Sequence, residues 1–299
     1  MLFSNYKLIL IGGSNIDFIA TSLKPLINGT SNIGKLKISF GGVMKNVAYD
    51  LAILNDEFLF FTAIGNDLYG KRLKEDLKES SINYISPKSN RISSTYLAIN
   101  NEKNDLYVSV CDNQIIDCIS PFFLSKYQKI LKNSDYICID ANISEETIKY
   151  IFNNYSDKKI MVEGVSIPKI IKFKNYLDKI YLLKCNIGEA KALFSENVKE
   201  ENIAEKLIEK GVNHFIISNK DKDVIGYNGS HVETFHVDKV DNIVNSNGAG
   251  DALFAGFVHE YIRNEDFEEA VRFGIKLSSY VLQSDESYSL DSKELVLKK

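Results

Sequence analysis

The chain has 299 residues, 44% of them hydrophobic and 25% charged, with a formal net charge of -4. That length suits one large α/β domain or two small ones, and the charge balance excludes a general basic field for nucleic acid. The longest apolar stretches, such as 58–64, are too short to span a membrane, and no secretory pattern precedes the first strand-like run, so a cytoplasmic protein is expected.

Residues 7–11 read as a short buried strand ending in Gly12-Gly13. A helix is predicted over 46–54, with Val47, Leu51 and Leu54 on one face. A strand at 58–64 and a helix at 68–80 follow. Segments 94–100 and 106–111 read as a hairpin across Asn101-Glu102-Lys103-Asn104. Helices predicted at 124–132, 145–155, 188–194 and 203–210 then alternate with strands at 136–140, 159–163, 180–185 and 214–218. Two further helices are predicted at 251–263 and 268–282.

From about residue 120 onward this alternation implies a mostly parallel sheet covered by helices on both faces. No linker, repeat or low-complexity segment interrupts it, so residues 1–299 are read as one domain. Two strand-like segments, about 14–40 and 92–112, fall outside the rhythm. They are expected to form a small sheet beside the main one, a lid that excludes water. The free edge of such a lid could pair with a second copy, giving a homodimer.

Cys111, Cys118, Cys138 and Cys185 are widely spaced and match no zinc pattern, so they read as reduced core or site residues. His214, His231, His236 and His259 show no metal-ligand spacing and read mostly as surface or packing residues.

The chemistry concentrates at Asn247-Gly248-Ala249-Gly250-Asp251, which opens a long apolar helix. The glycines permit close approach of backbone or ligand. The first N–H groups of the helix and its dipole favour an anion. A carboxylate at Asp251 beside that anion site suits a general base next to a phosphate, as phosphoryl transfer to a hydroxyl requires. The same residues would also fit a turn with Asp251 as an ordinary helix N-cap.

Ligands of open α/β sheets bind beyond the C-terminal ends of the strands, and polar residues gather there. Asn15 and Asp17 follow the first strand, and Asp17 offers acceptor sites for a sugar diol. Gly41 and Gly42 would let backbone approach a sugar while Asn46 bonds a hydroxyl. Asp140, Asn142, Glu163 and Ser218 end other strands. Asn186 and Glu189 lie one helical turn apart and could hold Mg²⁺ through water, although a Glu in a first helical turn is stabilising by itself.

In this order the motifs resemble the ribokinase-like (PfkB) carbohydrate kinases over essentially the whole chain. The carrying segments are Gly41-Gly42-Val43-Met44-Lys45-Asn46, Asn186-Ile187-Gly188-Glu189 and Asn245-Ser246-Asn247-Gly248-Ala249-Gly250-Asp251. The resemblance implies a three-layer α/β/α sandwich with a small β-sheet lid, and ATP, Mg²⁺ and an alcohol acceptor. Asp251 would be the catalytic base, and the N–H groups of Gly248, Ala249 and Gly250 the anion hole. Asn186, Ser218, Gly248 and Gly250 would face ATP. Gly12-Gly13-Ser14-Asn15-Ile16-Asp17, Ser94-Thr95-Tyr96-Leu97-Ala98-Ile99, Asp140-Ala141-Asn142 and Glu163-Gly164-Val165-Ser166 are most similar to the pseudouridine kinases within that family. On that likeness Asn15, Asp17, Gly41, Gly42, Lys45, Asn46, Thr95, Asp112 and Asp251 would surround pseudouridine, which would be phosphorylated on its 5′-hydroxyl.

The chain also departs from the family pattern. Asn245-Ser246-Asn247 stands where Asp-Thr is usual, and the missing carboxylate puts a K⁺ site in question. Residues 219–223 carry no glycine where a nucleotide-binding turn usually has one. Another sugar or nucleoside kinase, such as a ribokinase or purine-nucleoside kinase, is the first alternative. A nucleoside-binding regulator with weak catalysis is the second.

Overall fold

The computed structural model describes residues 6–194 and 198–297. The chain begins with β1 (Leu8–Ile11), β2 (Asn15–Ser22), β3 (Gly34–Gly41), α1 (Val43–Ile53), β4 (Phe58–Phe61), α2 (Leu68–Glu79), β5 (Tyr84–Ile85), β6 (Thr95–Asn100) and β7 (Leu106–Asp112). It continues with α3 (Pro121–Ser125), α4 (Gln128–Asn133), β8 (Tyr136–Asp140), α5 (Glu145–Asn154), β9 (Lys159–Glu163), α6 (Ile167–Ile170), β10 (Leu182–Asn186), α7 (Ile187–Ala192) and α8 (Ile203–Glu209). The last elements are β11 (His214–Asn219), β12 (Lys222–Tyr227), β13 (Val232–Phe235), α9 (Ala249–Asn264), α10 (Phe267–Leu282) and α11 (Glu294–Leu297).

Nine strands form the main sheet in the order β13-β12-β11-β10-β9-β8-β1-β4-β5. From β11 to β5 the neighbours are parallel; β12 and β13 are added antiparallel. Alternation along each strand feeds two cores. Ile9, Ile11, Ile137, Ile139 and Val162 enter one, and Leu8, Leu10, Cys138, Met161 and Leu182 the other. Both faces of the central strands are therefore apolar, which is why 7–11 and 136–140 read as continuous hydrophobic runs. Helices pack on both sides, and the architecture is the expected α/β/α sandwich with a separate small sheet. Among the described residues no helix is long and apolar enough to cross a membrane.

The two segments outside the βα rhythm form the small sheet, in the order β3-β2-β6-β7. The predicted helix at 124–132 is instead two short helices, α3 and α4. The β12–β13 pair was not predicted. Its strands are short, with Gly226 inside the first, so the hydrophobic pattern is weak there. Between β11 and β12 the turn uses Lys220 at φ 54°, a left-handed conformation that glycine would adopt more easily. The missing glycine at 219–223 therefore does not prevent the turn.

Two long helices set the position of the chemistry. A Cβ added at Gly256 would lie 2.6 Å from the Cα of Gly274, so α9 and α10 cross backbone against backbone. α9 also packs on α1, and its first turn lies against Lys184, near the C-terminal end of β10.

Candidate active site

α9 begins with Gly248 as its N-cap, at φ 83°. Asp251 is the third residue of the helix, so it is not the cap. A side chain at 248 would also collide with the carbonyl of Ser287, which crosses above the turn. The N–H of Ala252 bonds the Gly248 carbonyl at 2.8 Å. By helix geometry the N–H groups of Ala249, Gly250 and Asp251 have no partner within the helix and point toward an incoming anion.

Asp251 is buried, and Asn46 of α1 donates from Nδ2 to its Oδ2 at 2.7 Å. Ser287 Oγ donates to Asn46 Oδ1 at 2.9 Å, which fixes the amide orientation. Asn46 and Ser287 thus orient the Asp251 carboxylate. Burial pushes the Asp251 carboxyl up to about 7, helped by the Glu163 carboxylate and opposed by the Lys184 ammonium and the Asn46 bond. A base in that range is matched to proton transfer at neutral pH.

Lys184 and Ser287 were not anticipated. Lys184 Nζ donates to Glu163 Oε1 at 2.7 Å, and both side chains are buried. A Cβ on Gly250 would come within 2.8 Å of that ammonium, so the cation lies directly against the first turn of α9. Glu163 and Asp251 hold the Lys184 ammonium in its charged form despite burial. A lysine inside a strand looks like an ordinary polar interruption in sequence. Only the register of β9 with β10, which sets Lys184 opposite Glu163, shows its partner.

On the acceptor side, Asn15 and Asp17 project from the same face of β2, with the Asn15 amide donating to the Asp17 carboxylate. A side chain at Gly41 would collide with Asp17, and Gly42 turns at φ 105° to cap α1. The Asp17 carboxylate therefore packs directly on the backbone of Gly41. Burial pushes the Asp17 carboxyl up to about 7, against the pull of Lys45 and the Asn15 bond. Asp140 accepts from the N–H groups of Gly13 (2.9 Å), Met44 (3.2 Å) and Asn142 (2.9 Å). Its carboxylate ties the three loops together.

Lys45, Thr95 and Asp112 of the expected acceptor set have other contacts, although Lys45 stays within electrostatic reach of Asp17. The Lys45 ammonium is buried on the Phe40 carbonyl (2.9 Å), the Asp76 carboxylate (3.3 Å) and the Tyr49 ring (3.8 Å), which makes it a clamp between α1 and α2. Thr95 pairs with Ile16 and Asp112, in the row of the small sheet next to Asp17's row. Side chains alternate across a sheet, so Thr95 and Asp112 face away from Asp17. Tyr96 and Cys111 share the face of Asp17 instead.

Asn186 and Ser218 stand side by side at the ends of β10 and β11. Asn186 and Glu189 form a capping box: Glu189 N–H donates to Asn186 Oδ1 at 2.9 Å, and Asn186 N–H donates back to Glu189 Oε2 at 2.9 Å. Asn186 Nδ2 also donates to Glu189 Oε1 at 2.6 Å. Each carboxylate oxygen then keeps lone pairs that suit a hydrated cation. Asn245 accepts from the Asn247 N–H at 2.9 Å and donates to the Asp285 carbonyl at 3.4 Å, a turn-forming role. His231, Glu233 and Glu268 bring three potential metal ligands within 4.8 Å, beside the far end of α9. Spacing did not reveal that group because Glu268 comes from α10.

The pfkB family carbohydrate kinase model matches residues 5–293. The chain is 30% identical over 285 residues to a pseudouridine kinase of Escherichia coli, covering 93% of this chain and 90% of that one. It is 23% identical over 290 residues to a guanosine-inosine kinase of Exiguobacterium acetylicum, covering 94% and 96%. The crystal structure of a ribokinase from Thermotoga maritima superposes with a TM-score of 0.87 at 22% identity, covering 98% of this chain and 100% of that one. The chain belongs to the pfkB family of carbohydrate kinases, phosphotransferases with sugar or nucleoside acceptors.

Proposed function

We propose that the protein transfers the γ-phosphoryl group of ATP to the 5′-hydroxyl of pseudouridine, giving ADP and pseudouridine 5′-phosphate. One observation carries the chemistry: the Asp251 carboxylate, oriented by Asn46, and the Lys184 ammonium both lie at the first turn of α9. The acceptor is supported by the 30% identity with a pseudouridine kinase and by Asn15 and Asp17, a pair suited to the 2′- and 3′-hydroxyls of ribose.

Ionised Asp251 takes the proton of the 5′-hydroxyl as its oxygen bonds the γ-phosphorus. The bond from that phosphorus to the departing ADP oxygen breaks, and the proton remains on Asp251. Negative charge on the transferring group meets the N–H groups of Ala249 and Gly250 and the Lys184 ammonium. Asn186 and Ser218 are the ATP-side residues of this reading. Glu189 would hold Mg²⁺ through water, and the ion would neutralise phosphate charge when bound. Asn245 offers an amide where a K⁺ site would want a carboxylate, so turnover is expected without added K⁺.

ADP release with Mg-ATP across pseudouridine, uridine, guanosine, ribose and fructose 6-phosphate, with and without K⁺, tests the reading. Pseudouridine should give the highest kcat/KM. A preference for guanosine would favour the second reading, a purine-nucleoside kinase, which the likeness to the guanosine-inosine kinase supports. Nucleoside binding without any turnover would favour a regulator.

The reading is of a cytoplasmic enzyme that pairs with a second copy through the small sheet. The face of that sheet turned away from Asp17 carries two apolar rows, Ile38-Phe18-Leu97-Val110 and Leu36-Ala20-Ile99-Val108. Leu36, Ile38, Leu97, Val108 and Val110 are exposed there. Four strands about 4.8 Å apart and about 25 Å long offer roughly 500 Å² per copy, and a pair of such faces reaches roughly the 1,000 Å² of a small specific interface. Sedimentation velocity should give a dimer for the unmodified protein and a monomer for Leu97→Lys; a monomer for both would refute the pairing.

A further inference from the structure

Lys37 lies on β3, opposite Ile19 of β2. Ile19 is two residues from Asp17, so Lys37 shares Asp17's face of the small sheet, opposite the exposed apolar rows. From there it reaches the segment that follows α10. Lys37 Nζ donates to the Asp285 carbonyl at 2.7 Å and lies 3.2 Å from the Glu286 carboxylate. Both side chains of that ion pair are nearly half exposed, at 48% and 42%, so the pair itself contributes little. The bond to the carbonyl is charge-assisted and directional. Asn245 donates to the same Asp285 carbonyl at 3.4 Å, so the small sheet and the turn before α9 end on one oxygen.

The next residues carry this anchor into the site. Ser287, two residues on, donates to Asn46 at 2.9 Å, and Asn46 donates to Asp251 at 2.7 Å. The Ser287 carbonyl also lies against Gly248, where a side chain would collide with it. Tyr288 packs on Tyr49 of α1, with ring centroids 4.7 Å apart. Segment 285–288 therefore touches the small sheet, α1 and the N-cap of α9.

We propose that Lys37 is a positioning residue for phosphoryl transfer: by anchoring the small sheet to the Asp285 carbonyl it holds Ser287 on Asn46, and so sets the orientation of the Asp251 carboxylate. Seating the small sheet and aiming the base are then one arrangement rather than two. The inference rests on the reading of Asp251 as the base and adds the residue that ties that base to the sheet carrying Asn15 and Asp17.

The test is steady-state kinetics with Mg-ATP and whichever of pseudouridine, guanosine and ribose the unmodified protein turns over fastest. Lys37→Met should lower kcat by about 10-fold, the lower end of what a charged hydrogen bond contributes, with little change in KM for ATP. Lys37→Arg should recover most of it. The Asn46 bond lowers the proton affinity of Asp251. Loosening Asn46 should therefore move the acid limb of the kcat profile to higher pH in both Lys37→Met and Ser287→Ala. Glu163, Lys184, Asp140 and Asp50, the other charged or titratable groups within reach of Asp251, are unchanged in both variants. The double variant should lose no more than the larger single loss, because the two residues act in series. An unchanged kcat, an unmoved acid limb or losses that multiply would overturn the assignment and leave Lys37 an ordinary surface cation. If Asp251→Asn keeps turnover, the base reading itself fails; if it abolishes turnover while Lys37→Met behaves as the unmodified protein, the anchor alone fails.

Discussion

Asp251→Asn is expected to lower kcat by about 10²- to 10⁴-fold, the range for loss of a general base, while the protein stays folded. Asn46 and Ser287 still hold residue 251 in place, and asparagine keeps its shape. The proton affinity of Asp251 strengthens the test. Its carboxyl is pushed from near 3.8 to about 7, so the folded state binds a proton that the unfolded state has released between those values. Such a group favours the fold while protonated, and its contribution falls as pH rises through that window. The asparagine variant loses that penalty, so its Tm at pH 8 should match or exceed that of the unmodified protein. In the unmodified protein kcat should climb with pH through about 7 and level off above it, because only ionised Asp251 accepts the proton. A variant that keeps near-normal kcat, or a profile flat from pH 5 to 8, would remove Asp251 from the role.

Opposite movements are expected from the two halves of the buried pair beneath α9. Lys184→Met strands Glu163 as a buried carboxylate, and breaking such a pair costs about 3–5 kcal/mol. It also removes the cation nearest the Gly250 turn, so kcat should fall by about 10²- to 10³-fold, as for the loss of an anion-stabilising group. Lys184 lowers the Asp251 proton affinity and Glu163 raises it. The acid limb of the kcat profile should therefore move to higher pH in Lys184→Met and to lower pH in Glu163→Gln. Thermal melts and pH profiles of the two variants check both statements. Shifts in the same direction would show that the pair acts on Asp251 through packing rather than charge.

Much of the fold was legible because its signals are local. The apolar runs at 8–11 and 136–139 mark strands buried on both faces. The Gly-rich turn before α9 marked a helix end that could face an anion. Less legible was anything set by pairing between distant segments. The strands of the small sheet were located, but their register was not. A one-residue difference exchanges Thr95 and Asp112 for Tyr96 and Cys111 on the face of Asp17. Lys45 lies beside Asn46 in sequence, yet successive helical positions point about 100° apart. One reaches Asp251 and the other reaches Asp76.

By itself the sequence determined the α/β class, the segments of the small sheet and the carboxylate at the α9 turn, because backbone conformation and hydrophobic periodicity are written in neighbouring residues. Tertiary structure decided which side chains meet: Asn46 on Asp251, Ser287 on Asn46, Lys184 with Glu163 against Gly250, and Lys169 with Asn142. Those meetings join residues far apart in the chain, and they depend on strand register and helix crossing. Burial then decided the proton affinities of Asp17 and Asp251, since desolvation is the largest influence on both and cannot be read before the fold closes over them.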